Sequence, residues 1–362
     1  MSPFIYQEVF IGTIASIAFV MGGMRLASPD ERYRESGSSI WLPLAICTIL
    51  VFWIGLRPVS GAFGDTVNYA LVYSRLDPHH VSMNWSGEWI WQWLMNGCKA
   101  AGLSVNMFFL IVAAGYVYSA LFAVYRFMPT DPMLGVVFLL CSLMFFPFAV
   151  NGLRNGLACH LVLLGMSLLF DDRWVPGLLF CLIAFGIHRS VLLPIVFIFV
   201  GLFLMRDVKY AIVFWLASIV VSLVFGNYIA EFFSNLGLDD RMTQYVRIDD
   251  MSEFSREGFR WDFLLYSACP ILMAWYVCIW KECSDNWYNA LCTVYILCNA
   301  FWIMVIRSAF SNRFAYLSWF LYPIIIAYPL VNRKLREDQD RFTGWVLLVY
   351  ASFSVFMWFV FW

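Results

Sequence analysis

The chain has 362 residues, of which 62% are hydrophobic and 13% charged, with a net charge of −1. Soluble globular domains are about half apolar and about a quarter charged, so this composition excludes one. The near-zero net charge excludes a basic surface for nucleic acid.

Apolar runs of about 18–24 residues recur along the whole chain and predict membrane-spanning helices. The expected fold is an all-α polytopic integral membrane protein with about twelve transmembrane helices. They fall near residues 3–24, 39–56, 104–126, 132–150, 153–170, 174–187, 190–205, 210–233, 262–280, 287–306, 312–331 and 342–361. Residues 1–362 form a single integral membrane domain in this reading, with two longer loops near 57–103 and 234–261. The first apolar segment lacks a basic leader and is read as a retained helix. Eight of the ten cysteines lie inside apolar runs, and no CxxC pair exists. They read as small packing residues, with no metal site and no disulfide framework.

Twelve spans place the termini, both long loops and the breaks at Arg154, His188 and Arg307 on one side. The short loops on the other side carry Arg25, Arg32, Arg34, Arg126, Arg173, Arg206, Lys209, Lys281, Arg333, Lys334, Arg336 and Arg341. Basic residues in short loops mark the cytoplasmic face, so the long loops and the breaks are expected outside.

In the first loop, Asp65-Thr-Val-Asn-Tyr-Ala-Leu-Val-Tyr73 puts Asp65, Asn68, Tyr69 and Tyr73 on one helical face. A carboxylate, an amide and two phenols suit a sugar. An interfacial helix capped by Asp65 explains the same residues. Arg75 follows closely and joins the substrate-binding candidates. Trp85-Ser-Gly-Glu-Trp-Ile-Trp-Gln-Trp93 places Trp85, Trp89 and Trp93 on one face of an interfacial helix, with Glu88 on the wet side as a ligand or base.

The sequence Asn151-Gly-Leu-Arg-Asn-Gly156 interrupts two apolar runs. Gly152 and Gly156 form a small-xxx-small pattern for close helix approach. That does not explain Arg154, a charge costing about 2.5–3.5 kcal/mol at mid-membrane. Asn151, Arg154 and Asn155 share a face at a helix start, where free N–H groups already make the potential positive. Neighbouring spans contain no Asp or Glu, so the expected counter-charge is an anionic ligand, and helix terminus plus guanidinium is a phosphate-binding arrangement. His160, deep in its span, reads as structural.

Next come Ile187-His188-Arg189-Ser190, where His188 and Arg189 sit at a membrane edge and Ser190 can cap the next helix. Arg256 and Arg260 share a face at the end of the second loop, after the polar stretch holding Asp239, Asp240, Arg241, Arg247, Asp249 and Asp250. Finally, Ser311 or Asn312 can cap a helix with Arg313 in its first turn, close after Arg307.

In order and content these motifs resemble the EpsG-like branch of the Wzy-type polysaccharide polymerases. Asp65-x-x-x-Tyr69, Arg154-Asn-Gly-Leu-Ala158, His188-Arg-Ser190, Gly258-Phe-Arg-Trp-Asp262 and Asn312-Arg-Phe-x-Tyr316 carry the likeness, over about residues 64–322. Asn155 stands where Gln is frequent in that family.

The resemblance implies a metal-independent, cofactor-free glycosyltransferase of GT-C-like architecture in the bacterial cytoplasmic (inner) membrane, its site facing outward. It joins undecaprenyl-diphosphate-linked repeat units into O-antigen, capsule or exopolysaccharide and releases undecaprenyl diphosphate. The bilayer, the lipid-linked donor and acceptor, a chain-length regulator and a flippase are the implied partners. Arg154 and Arg313, with Arg260 or Arg307 assisting, are the expected diphosphate clamp. His188 is the expected base, with Asp65 and Glu88 as alternatives. Tyr69, Tyr73, Arg75, Asn151 and Arg189 are the remaining expected substrate contacts. A lipid-linked oligosaccharide flippase or transporter would hold similar arginines, but should show two similar halves. An O-antigen ligase shares the chemistry. A membrane O-acyltransferase would need a catalytic His with acidic partners.

Overall fold

A computed structural model describes residues 3–27, 39–77, 85, 87–235, 259–307 and 312–361. Among these residues the chain is helical, with no strand. Among the described residues seven helices are long and apolar enough to cross a membrane, and four apolar segments are shorter: Trp41–Gly55, Leu153–Leu169, Trp174–Ile187 and Arg189–Leu204. A 17-residue helix such as Leu153–Leu169 reaches only about 25 Å at 1.5 Å per residue, somewhat less than a bilayer core. Arg32, Arg34, Asp239, Asp240, Arg241, Arg247, Asp249, Asp250, Arg256 and Ser311, singled out above, lie outside the described residues, as does most of the second long loop.

The chain divides into two compact units, Met1–Arg189 with Ile326–Trp362, and Ser190–Ile325. The first unit holds α1 (Pro3–Ala27), α2 (Trp41–Gly55), α3 (Thr66–Arg75), α4 (Trp89–Ala100), α5 (Val105–Phe127), α6 (Pro132–Leu140), α7 (Phe145–Val150), α8 (Leu153–Leu169) and α9 (Trp174–Ile187). Caps set several starts. Ser104 accepts from the Met107 N–H at 3.3 Å, and Asp131, ahead of Pro132, accepts from the Leu134 N–H at 3.0 Å.

The expected span at 132–150 is interrupted. It comprises α6 and α7, separated by a turn at Cys141–Met144 in which the Phe145 N–H reaches the Ser142 carbonyl at 3.0 Å. Both halves are uniformly apolar, so hydropathy could not show the break. Helices α8 and α9 run antiparallel through mutual contact at two glycines. A Cβ on Gly165 would stand 2.9 Å from the Gly177 carbonyl oxygen, and one on Gly177 would stand 3.0 Å from that of Gly165.

Polar contacts mark the two ends of this unit. At one end Arg25 is buried between Asp131 and Asp340, Arg126 pairs with Asp171 at 2.6 Å, and Asn332 donates to the Phe127 carbonyl at 2.8 Å. At the other, Tyr6 donates to the Trp53 carbonyl, and the first loop folds over the starts of α5 and α8. Of the basic residues expected in the cytoplasm, Arg25, Arg126 and Arg173 therefore lie at the end of this unit away from Arg154.

The second unit contains α10 (Leu192–Phe199), α11 (Val208–Asn235), α12 (Trp261–Trp275), α13 (Asn286–Met304), α14 (Asn312–Trp319) and the opening of α15 (Tyr322–Asn332). The chain closes with α16 (Gln339–Phe361) in the first unit. Buried α13 is tied in by side-chain bonds: Asn299 accepts from Trp215 at 2.8 Å and donates to Ser318 at 3.0 Å, while Tyr295 donates to the Ser267 carbonyl at 2.9 Å. Such pairs satisfy polar groups where no water is available. Reporter fusions after Ala101 and after Asp172, at opposite ends of the first unit, should report opposite compartments, outside and inside respectively. Two reporters on one side would contradict the arrangement.

Candidate active site

Four side chains from distant parts of the first unit converge at the start of α8. Helix α7 stops at Asn151-Gly152, and α8 starts at Leu153, so Arg154 is its second residue. Gly156 permits the tight reversal: a Cβ there would lie 2.6 Å from the Phe148 carbonyl oxygen and 3.0 Å from the Tyr116 ring. The small-xxx-small pattern thus serves the break itself.

The first loop is pinned to this break. The Asn151 side-chain oxygen accepts from the Asp65 N–H at 2.8 Å. Gly64, at φ +55°, leaves room for it, since a Cβ there would come within 2.3 Å of that oxygen. Helix α3 follows and carries Tyr69, whose hydroxyl accepts from Arg154 Nε at 3.0 Å. Tyr69 also packs edge-on against Trp91 of α4, with ring centroids 5.4 Å apart.

Glu88 immediately precedes α4. That helix docks on the end of α9 at Gly186, where a Cβ would strike Ile90 at 2.6 Å and Trp89 at 2.9 Å. His188 follows α9 in extended conformation. The Glu88 carboxylate therefore reaches two cation-capable groups: Oε2 accepts from Arg154 Nη1, and Oε1 accepts from His188 Nδ1. A carboxylate is an acceptor only, so Nδ1 carries a hydrogen, and whenever the ring holds that one proton alone Nε2 presents its lone pair. Side-chain exposure is 17% at Glu88, 23% at Arg154 and 20% at His188, which leaves the cluster partly open.

Burial alone would raise the Glu88 pKa. Hydrogen bonds and charge from His188 and Arg154 outweigh it and hold the carboxyl below its ordinary range, so Glu88 is ionised at neutral pH. Burial raises Tyr69 above an ordinary phenol despite the opposing pull of Arg154, so its hydroxyl stays protonated.

The counter-charge of Arg154 corrects one expectation. The spans indeed supply no acid; the loop does, through Glu88, 66 residues earlier in the chain. The sequence singled out Glu88 but gave no sign of its reach.

The other expected residues distribute as follows. Asp65 accepts from Asn68 at 3.4 Å and makes no cap bond. Tyr73 is buried, donates to the Leu103 carbonyl at 2.8 Å and stacks on Phe108, so its hydroxyl holds α3 to the foot of α5 and is not presented to a sugar. Arg75 is exposed at the end of α3. Arg189 is exposed and donates to the Gly87 carbonyl at 3.2 Å. Asn155 is buried and accepts from Cys159 at 3.3 Å. Ser190 caps nothing, its buried hydroxyl lacking a partner. His160 is structural as expected, donating to the Tyr116 carbonyl at 2.8 Å under the Tyr116 ring. Trp85, Trp89 and Trp93 form the expected aromatic face, with centroids 4.5–5.1 Å apart.

In the second unit, Arg260 pairs with Asp262 at 2.7 Å and lies over Phe263. Arg307 packs against Gly226, and Arg313 occupies the first turn of α14.

The sequence reading missed Arg57. It is 1% exposed, yet it makes hydrogen bonds to the Ile54 carbonyl at 2.8 Å, to Thr66 Oγ1 at 2.9 Å and to the Val150 carbonyl at 3.3 Å, and its guanidinium lies over Phe109. Thr66 donates to the same Val150 oxygen at 2.7 Å. Val150 ends α7, so Arg57 and Thr66 satisfy the carbonyl that the helix break exposes. Burial lowers the Arg57 pKa to about 10, still charged at neutral pH. The available signal was a cation at the end of an apolar run, the same anomaly as Arg154.

The EpsG family model matches residues 40–362. No curated protein and no solved structure matches the chain.

Arg57→Ala should lower stability by about 2–3 kcal/mol, as for loss of buried hydrogen bonds to a charged group. Thermal melts in detergent check this. An unchanged melting temperature would show that the break at Asn151 stands without Arg57.

Proposed function

The chain belongs to the EpsG family, and from that premise we propose that it is a membrane glycosyltransferase that polymerises lipid-linked repeat units. The family suggests a polysaccharide-polymerase-like role. The observation that carries the finer reading is the meeting of Arg154, Glu88, His188 and Tyr69 at a helix start beside apolar spans.

In the proposed reaction, the donor is a glycan joined through C1 to undecaprenyl diphosphate. A hydroxyl at the non-reducing end of the acceptor attacks C1. The C1–O bond to the diphosphate breaks, the new glycosidic bond forms, and undecaprenyl diphosphate departs with the bonding electron pair. His188 Nε2 takes the hydroxyl proton, its ring oriented through Nδ1 by Glu88. Arg154 meets the charge that builds on the leaving diphosphate, helped by the free N–H groups of α8's first turn. Tyr69 holds Nε and fixes the guanidinium plane. Arg260, Arg307 and Arg313 remain candidate diphosphate ligands from the sequence, and Asp65, Arg75 and Arg189 proposed contacts for the glycans. The site faces the outside of the bacterial cytoplasmic membrane, because short-loop basic residues mark the opposite end of the first unit.

Two results follow from this assignment. Arg154→Ala should reduce turnover about 100–1,000-fold, the usual loss for one oxyanion donor, while the protein still accumulates in membranes. Arg154→Lys should be badly impaired as well, since an ammonium loses the planar fork that grips two phosphate oxygens. Arg336→Ala, at the opposite end, should leave chain length unchanged. Polymer length and membrane abundance are the readouts, and a well-expressed, fully active Arg154→Ala protein would contradict the assignment. Charge stabilisation by arginine and helix N–H groups also predicts that the purified enzyme works in EDTA. Loss of activity restored by magnesium or manganese would contradict that.

A further inference from the structure

Glu88 is placed to do more than orient a base. Its two oxygens are divided between two groups of different role, Oε2 on Arg154 and Oε1 on His188. One carboxylate thus serves as counter-ion to the proposed diphosphate ligand and as partner to the proposed base.

We propose that the donor's diphosphate displaces Glu88 from Arg154, and that the released carboxylate then serves His188 alone, so that the base is completed only when donor is bound. This rests on the reading of Arg154 as the diphosphate ligand.

Three observations support an exchangeable pair. First, Arg154 is held at Nε by a neutral group, the Tyr69 hydroxyl at 3.0 Å, while its charge is balanced at Nη1 by Glu88. Removing Glu88 from Nη1 leaves the arginine anchored and its fork facing the incoming anion. Secondly, a diphosphate brought to Arg154 would set its negative charge close to the Glu88 carboxylate, and like charges repel, so the two compete for the guanidinium. Thirdly, Glu88 is the N-cap of α4, just after Gly87 at φ +70°: its backbone carbonyl accepts from the Gln92 N–H at 3.1 Å, while its carboxylate takes no part in capping the helix. Its side chain can turn from one partner to the other while α4 stays seated on Gly186.

The opposite end of the same unit offers the contrast. Arg25 is enclosed by two carboxylates, Asp131 and Asp340, and its side chain is 6% exposed. There the carboxylates outnumber the cation. At Glu88 the ratio is reversed, with one carboxylate for two donors and a partly open guanidinium.

The exchange has a chemical consequence. With donor absent, the carboxylate is shared and polarises the imidazole less, so a water molecule finds a weak base. With the diphosphate on Arg154, the full carboxylate charge faces Nδ1–H, and Nε2 becomes the stronger proton acceptor as the acceptor hydroxyl arrives. Glu88 is on this account a positioning residue, which touches neither donor nor acceptor.

The test uses purified full-length protein in nanodiscs, with undecaprenyl diphosphate as the binding probe, alongside donor KM and kcat. Glu88→Gln keeps the side-chain shape and removes the charge. It should bind the probe about 10-fold more tightly, because the competitor is gone, while kcat falls about 100-fold, the low end for impaired general-base catalysis. Glu88→Asp keeps the charge but is one carbon too short to span both partners. It should show the same opposed changes, smaller in size, and covers the case in which Gln misfolds. A purely structural ion pair predicts weaker binding and lower kcat together, and that result, or unchanged binding with lower kcat, would overturn the proposal. Arg154→Ala separates the two levels. If it binds the probe as the wild type does, the diphosphate assignment itself fails. If it loses binding while Glu88→Gln gains none, only the exchange fails.

Discussion

Arg154 stands in the first turn of α8, where unpaired backbone N–H groups already make the surroundings positive, and it does so beside apolar segments that offer no acid. A guanidinium in such a place is held only if an acceptor and an anion are brought to it. The fold around this end of the first unit can be understood as the means of doing so. Tyr69 arrives on α3 to take Nε, and Glu88 arrives ahead of α4 to take Nη1. His188 arrives at the end of α9 to share the same carboxylate. Three separate stretches of chain are thereby committed to one charge.

The backbone pays attention to the same point from below. The break between α7 and α8 would leave the Val150 carbonyl exposed in a nearly dry environment, where an unsatisfied group costs several kcal/mol. Arg57 and Thr66 close it, and Thr66 is also the first residue of the helix that delivers Tyr69. Asn151, within the break, holds the backbone of Asp65, one residue earlier. Loop and break therefore fix each other, and neither is positioned without the other.

Much of this was legible in the sequence, and the reasons for the rest are specific. Hydropathy located the apolar helices, and the Asn151–Gly156 interruption marked the start of α8. The anomaly of a charged residue between apolar runs pointed to Arg154, and the His188-Arg189 break pointed to the end of α9. What the sequence could not show was pairing across 66 and 100 residues, because nothing local to Glu88 states which cations it meets. Tyr73 was misjudged for a related reason. Its spacing from Tyr69 puts both on one face, but spacing does not say that Leu103 and Phe108 lie against the second ring. The interruption between α6 and α7 left little trace because Ser142 is the one polar residue in Cys141–Met144.

Membership of the EpsG family suggests a polysaccharide-polymerase-like role, and the proposed use of this cluster of arginine, histidine, carboxylate and phenol is transfer of a sugar away from a diphosphate. The most direct measurement is reconstitution of the purified protein in liposomes with a defined undecaprenyl-diphosphate-linked repeat unit. The account predicts glycan chains longer than one unit, with one undecaprenyl diphosphate released for each bond formed. Recovery of the repeat units unjoined, merely moved across the bilayer, would contradict it.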